Sequence, residues 1–161
     1  MKAADLDDFL DYRSDPDVGR YQSWEKMDRD QARGFITAAG SEPLLQPGRW
    51  SQVAIADAQS DALIGDMGVR IEADQSEAEL GITLSTPAQG HGFGLAAVAL
   101  MIDVIFTQTP VRKIWAITDA RNARSLSLIK RAGFTFSHTE EDKTQAPVLI
   151  EHFFTFLRPG S

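Results

Sequence analysis

Apolar and polar positions follow two different periods along this chain, and the period changes near Trp50. Before it, Leu6, Phe9, Leu10 and Arg13 recur at helical spacing, so residues 5–13 read as a helix that Asp15-Pro16 stops. A loop carrying Tyr21 and Trp24 follows. Residues 28–39 read as a second helix, with Ala32, Phe35, Ile36 and Ala39 on one face and Gly40 as its stop. Residues 41–48, with Pro43, Pro47 and Gly48, are a loop. From Trp50 the period is two: residues 50–56 and 63–71 read as strands around a turn at 57–61. Residues 77–84 alternate cleanly, with Ala78, Leu80, Ile82 and Leu84 on one side and Glu77, Glu79, Gly81 and Thr83 on the other. These three strands make an antiparallel meander. Then come a Gly-rich loop at 87–94, a strongly apolar helix at 93–106, and a buried-type strand at 113–118. A helix at 122–132 ends at Gly133. A strand at 134–137, a polar loop at 139–145 and a last strand at 148–157 complete the chain. Strands on either side of a buried helix, with another helix after the fourth strand, imply an α/β chain whose mixed sheet is covered on both faces.

Composition narrows the chemistry. At 161 residues the chain reads as a single domain, 1–161, with a core of ordinary hydrophobic content. Its net charge of −7 argues against nucleic acid as a partner, since phosphate binding needs a basic surface, and suits a cationic partner or mere solubility. The absence of cysteine excludes disulfides, thiolate nucleophiles and Cys-ligated metals. His91, His138 and His152 lack ligand spacing, so no metal site is expected. The N-terminus turns acidic at once, and the longest apolar run, broken by Asp103, is shorter than the ~20 residues a bilayer needs. A cytoplasmic protein with no membrane partner is the expectation.

The chemistry concentrates in the segment Leu80 to Leu95, a strand, a Gly-rich loop and a helix start. Gly90, Gly92 and Gly94, at every second position, let the backbone approach a ligand and turn its N–H groups inward. The helix that starts there adds unpaired N–H groups and the positive end of its dipole, which suits a pyrophosphate. No Gly-Lys-Ser/Thr follows, so this is not a Walker loop, and the upstream strand does not open a βαβ unit as a dinucleotide fold requires. The same glycines also suit a tight turn that only packs a helix on a sheet.

Gln89-Gly90-His91-Gly92-Phe93-Gly94 resembles the Gln/Arg-x-x-Gly-x-Gly/Ala acetyl-CoA loop of the GNAT N-acetyltransferase superfamily, at Gln89, Gly92 and Gly94. Upstream, Leu63-Ile64-Gly65-Asp66-Met67-Gly68 and the segment Ala78 to Leu84 resemble strands of its ribosomal-protein N-terminal acetyltransferase branch. Asn122-Ala-Arg-Ser125, Leu128 to Phe134, Tyr21-Gln22-Ser23-Trp24 and Trp50-Ser51-Gln52 resemble the same branch, so the likeness spans about residues 5–157. It implies a three-layer αβα sandwich around a mixed, mostly antiparallel sheet. It also implies acetyl-CoA as co-substrate, without metal, and an amine acceptor.

Carried onto this chain, the resemblance places the pantetheine arm along Ile82, Thr83 and Leu84. The pyrophosphate falls on the amides of Gln89, Gly90, His91, Gly92, Phe93, Gly94 and Leu95. Asn122 would bond the pantetheine arm and Ser125 would lie near the sulfur; as residues alone, Asn122 also reads as a helix N-cap. The amine attacks the thioester directly, which requires a base and an oxyanion donor. Glu79, acting through water, is the expected base, Asp66 the second candidate, and the Leu84 amide the expected oxyanion donor. Many relatives carry a tyrosine near the sulfur; this chain has only Tyr12 and Tyr21, which leaves Ser125 as the acid surrogate. Tyr21 and Trp24 would wall the acceptor cleft, with Glu72, Glu77, Glu79 and Asp66 supplying negative charge.

Two departures stand out. The first strand of the family is missing or reduced, which leaves a sheet edge exposed or covered by a partner chain, a homodimer being one arrangement. The Gly-x-Trp found before the last strand in many relatives is also absent. The branch resemblance ranks a peptide or protein N-terminus first among acceptors. A polyamine, an aminoglycoside in a resistance-type enzyme, and a non-catalytic acyl-CoA-binding domain are the alternatives.

Overall fold

The computed structural model describes residues 1–22, 24–144 and 147–160; Ser23 of the Tyr21–Trp24 stretch and Gln145 of the polar loop lie outside them. Helix α1 (Leu6–Ser14) follows a single 3-10 turn, Ala3–Asp5, and α3 (Arg29–Ser41) is the second long helix. Asp28 caps α3, accepting from the N–H groups of Asp30 and Gln31, while the Gln31 side chain answers the Asp28 N–H. Between them Pro16 does not simply end α1. It opens a further turn, α2 (Pro16–Gly19), capped by Asp15, because proline suits a first helical position whose N–H would go unpaired anyway.

The six strands are β1 (Trp50–Ala56), β2 (Leu63–Ile71), β3 (Glu77–Leu84), β4 (Lys113–Asp119), β5 (Thr135–Asp142) and β6 (Leu149–Leu157), in the order β1-β2-β3-β4-β6-β5. Every pairing is antiparallel except β3 with β4. The first three strands occupy the spans their alternation predicts. Strand β5 does not. The polar stretch expected as a loop from residue 139 continues the strand to Asp142, paired residue by residue with β6 down to Asp142–Leu149. Nearly all of β5 is exposed at the sheet edge, where ladder hydrogen bonds rather than apolar side chains hold a strand in place. At the opposite edge β1 is outermost, and no strand precedes α1 among the described residues.

One sheet face carries Met67, Val69, Ile71, Ala78, Leu80, Ile114, Ala116 and Phe154 against α4 (Phe93–Gln108) and α5 (Ala123–Arg131). α4 is apolar almost all round: Val98, Met101, Ile102 and Ile105 are buried in the core, while Leu100 on its outer side is 66% exposed. The other face carries α1 and α3 over its β1–β2 end, with Phe9, Tyr12, Ala32, Ile36 and Leu63 buried between. That arrangement is the three-layer αβα sandwich. No helix among the described residues is long and apolar enough to cross a membrane.

Candidate active site

β3 and β4 meet only at Glu77–Lys113, Ala78–Ile114 and Glu79–Trp115, and beyond that point the two strands part. β2 keeps its hold on β3 through Leu84, and β6 keeps its hold on β4 through Asp119. The hydrogen-bonded pairs Glu72–Glu77 and Ile64–Ser85 fix the phase of the β2 ladder, so Glu79, Gly81 and Thr83 turn their backbone groups to β2. Ile82 and Leu84 therefore turn theirs toward the gap left by β4. Leu84 O is taken by the Gln89 side chain, Nε2 to O at 3.0 Å, which leaves the N–H groups of Leu84 and Ile82 as donors into the opening. Thr83, expected beside them, is bonded into β2 and only 8% exposed, so alternation removes it from the edge.

The gap leads to the glycine loop. After the turn Thr86–Ala88, Gly90 and Gly92 adopt φ of +82° and +87°, and a Cβ on either would meet open space within 4 Å. A left-handed backbone facing emptiness is a cradle, not a packing device. Gly94 differs: a Cβ there would come within 3.2 Å of Leu128 and 3.3 Å of Leu84, so its role is to let α4 approach β3 and α5. Because Gly92 caps α4 without a side chain, the amides of Phe93, Gly94 and Leu95 at the helix start have no helical acceptor. These free amides above an unpaired strand edge fit the phosphates and peptide-like arm of acetyl-CoA. α5 closes the other wall, where Asn122 Oδ1 accepts from Ser125 N at 3.1 Å, the N-cap geometry that the sequence also allows.

On the polar face, Glu79 is half-buried beside Trp115. Its carboxyl is raised above the usual glutamate range by burial, with Glu72 and Glu151 adding to the rise and Arg70 opposing it. Glu151, next to Asp119 across the β4–β6 ladder, is raised in the same way, first by burial and then by Asp142, Glu140 and Asp119. Trp115, Phe153 and His138 line this strip, with the His138 ring stacked on Phe153 at 4.5 Å. The sequence reading missed Glu151 and these rings. The alternation Glu151, Phe153, Thr155 within the last strand is the signal that could have found them.

Two expected site residues, Asp66 and Trp24, lie elsewhere. Asp66 is 1% exposed beneath α1, accepting from Tyr12 Oη at 2.7 Å, Arg13 Nη2 at 2.6 Å and the Gln52 side chain. Burial next to that carboxylate pushes the Tyr12 hydroxyl far above the usual tyrosine range. With both oxygens committed, Asp66 ties α1 to β1 and β2 rather than facing the gap. Trp24 turns inward, its ring 3.8 Å from the Arg13 guanidinium. Tyr21 stays partly exposed and close enough to Arg121 to act on it electrostatically. Of the acidic residues expected near the site, Glu77 is bound to Lys113 and Trp115, and Glu72 stands at the hairpin with Arg70. Asp66→Asn should lower stability in urea denaturation by about 2 kcal/mol, the worth of hydrogen bonds to a charged group, since Arg13 loses its counter-ion. A loss below about 0.5 kcal/mol would show that the network holds nothing together.

Residues 1–135 match the family described as "Acetyltransferase (GNAT) domain". The chain belongs to that family, and it is an acetyl-CoA-dependent N-acetyltransferase. Its fold is shared with spermidine N-acetyltransferase from Vibrio cholerae in complex with CoA and spermine, at TM-score 0.79 and 18% identity over 98% of this chain and 92% of that one. Ribosomal-protein-alanine N-acetyltransferase from Brucella melitensis gives 0.75 and 18% over 98% and 97%. An aminoglycoside acetyltransferase in complex with coenzyme A gives 0.75 and 14% over 98% and 92%. No curated protein matches the chain. The three names carry three kinds of acceptor, so the fold does not single out the ribosomal-protein branch.

Proposed function

We propose that this protein transfers the acetyl group of acetyl-CoA to the primary amine of a cationic acceptor held on the polar face of the sheet. The parting of β3 from β4 carries the reading, because it leaves the Ile82 and Leu84 amides free above a loop shaped for phosphates. In this reading Glu79 takes the amine proton through water, and a raised carboxyl is the better base near neutral pH. The Leu84 or Ile82 N–H steadies the developing oxyanion, and the Ser125 hydroxyl, as the acid surrogate, donates a hydrogen bond to the leaving thiolate, which takes its proton from water. As the N–C bond forms, the C–S bond breaks and the amine proton leaves on Glu79.

A peptide or protein N-terminus is the first acceptor to try, on the branch resemblance. A small polyamine is the second, favoured by the like charges gathered at Glu79, Glu151 and Asp119. Turnover of acetyl-CoA across a panel of peptides, polyamines and aminoglycosides tests the reading. Cationic amines should be turned over well ahead of neutral ones of similar size, and equal rates or no turnover would count against it.

Asn122 tests the α5 wall. Asn122→Ala should cost about 1 kcal/mol of stability as a lost cap and also weaken acetyl-CoA binding several-fold. A lowered melting temperature with unchanged affinity would make Asn122 a cap alone.

A further inference from the structure

Arg124 is a cation that the site as described does not use. It lies in the first turn of α5, two residues past Asn122, with an exposed side chain. Its Nη1 donates to Gln89 Oε1 at 2.7 Å, and the same Gln89 amide donates through Nε2 to Leu84 O at 3.0 Å. One glutamine thus clasps three elements: the end of β3, the start of the glycine loop and the first turn of α5. Both ends of its amide are used, which fixes its orientation with oxygen toward the guanidinium. Among the described residues no carboxylate forms an ion pair with Arg124, whereas its neighbour Arg121 is bound to Asp119 through Nε and Nη2. A guanidinium has five N–H donors in a planar fork, so one bond to Gln89 leaves the rest for an anion.

We infer that Arg124 binds the pyrophosphate of acetyl-CoA, held in place by the Gln89 clasp. The inference rests on the acetyl-CoA reading of the glycine loop. The position of the clasp selects the pyrophosphate over the 3′-phosphate. Gln89 sits at the strand end of the loop beside Leu84, where a cofactor arm lying on β3 passes into its phosphates, and the 3′-phosphate belongs to the far, adenosine end. In a chain of net charge −7, a cation fixed at that point offsets repulsion that the loop amides alone do not. The planar fork takes two phosphate oxygens in parallel, which lysine cannot reproduce.

The test is calorimetric titration of the full chain and its Arg124→Gln and Arg124→Lys variants with acetyl-CoA and with 3′-dephospho-CoA. Arg124→Gln should weaken both ligands by about ten- to a hundredfold and by the same factor, the loss of a charge-assisted hydrogen bond. Arg124→Lys should fall between Gln and the native residue, and the salt dependence of binding should flatten in the Gln variant. Since the side chain is exposed, melting temperatures should stay within a degree or two, which separates lost contact from lost fold. Unchanged affinity in Arg124→Gln would overturn the inference while leaving the loop reading intact. A loss seen with acetyl-CoA but not with 3′-dephospho-CoA would also overturn it, by assigning Arg124 to the other phosphate. Failure of the native chain to bind acetyl-CoA would overturn the loop reading itself.

Discussion

Gly92→Glu is expected to lower acetyl-CoA affinity about a thousandfold while the protein stays folded. A carboxylate about 4 Å from a phosphate charge, at the effective dielectric of a protein surface, costs about 4 kcal/mol, close to three powers of ten in binding. The backbone contributes a smaller part. Gly92 sits at φ +87°, and forcing an L-residue into that region costs about 1–2 kcal/mol of stability. Gly92→Ala carries the same backbone cost without the charge, so it separates the two effects. Its affinity should drop far less than that of the Glu variant, with a similar melting temperature. Equal losses in both variants would mean that the backbone conformation, not phosphate proximity, matters at this position. No loss in either would remove the loop from the binding site.

Glu79→Gln is expected to lower kcat by about two to four orders of magnitude, with acetyl-CoA affinity nearly unchanged. The amine must shed a proton, and Glu79 stands on β3 itself, the strand that carries the Leu84 amide, whereas Glu151 lies across the gap on β6. Glu77 is held by Lys113, and Asp66 by Tyr12, Arg13 and Gln52. Burial raises Glu79, helped by Glu72 and Glu151 against Arg70, so the acidic limb of the rate profile should lie above the usual glutamate value of 4.5. That limb should vanish in the Gln variant. The stability effect runs in the opposite direction. A carboxyl that holds its proton more tightly when folded loses stability as pH rises from its unfolded value through its folded one, and the deficit persists above. Gln at this position removes that deficit, so the melting temperature at neutral pH should be unchanged or higher. A fall of kcat below threefold, with the acidic limb intact, would exclude Glu79 as the base.

Local rules made the meander and the loop legible. Strict alternation from Glu77 to Leu84 gives β3 both its span and its two faces, and Gly90 and Gly92 mark the cradle, while Gly94, third in the same pattern, serves packing. What alternation alone does not reveal is which backbone edge stays unpaired. That depends on β4 leaving β3 after Trp115, a long-range event decided by the pairing of β4 with β6. Asp66 shows the same limit. Its place in a polar-facing strand position suggests a cleft, but α1 crosses above it and supplies Tyr12 and Arg13, more than fifty residues away in sequence. Trp24 turned inward because the Arg13 guanidinium lay beneath it. Arg124 and Glu151 escaped notice because each gains meaning only from a distant partner, Gln89 across the loop and Glu79 across the gap. The polar half of β5 was read as loop because composition signals solubility, while an edge strand needs only its ladder.

Backbone amide chemical shifts during acetyl-CoA titration test the central claim most directly. The account predicts that the largest changes fall on Ile82, Leu84, Gly90, Gly92 and Leu95, with Gly81 and Thr83, bonded into β2, moving little. Shifts confined to other surfaces, or none at saturating acetyl-CoA, would contradict a cofactor seated between the parted strands.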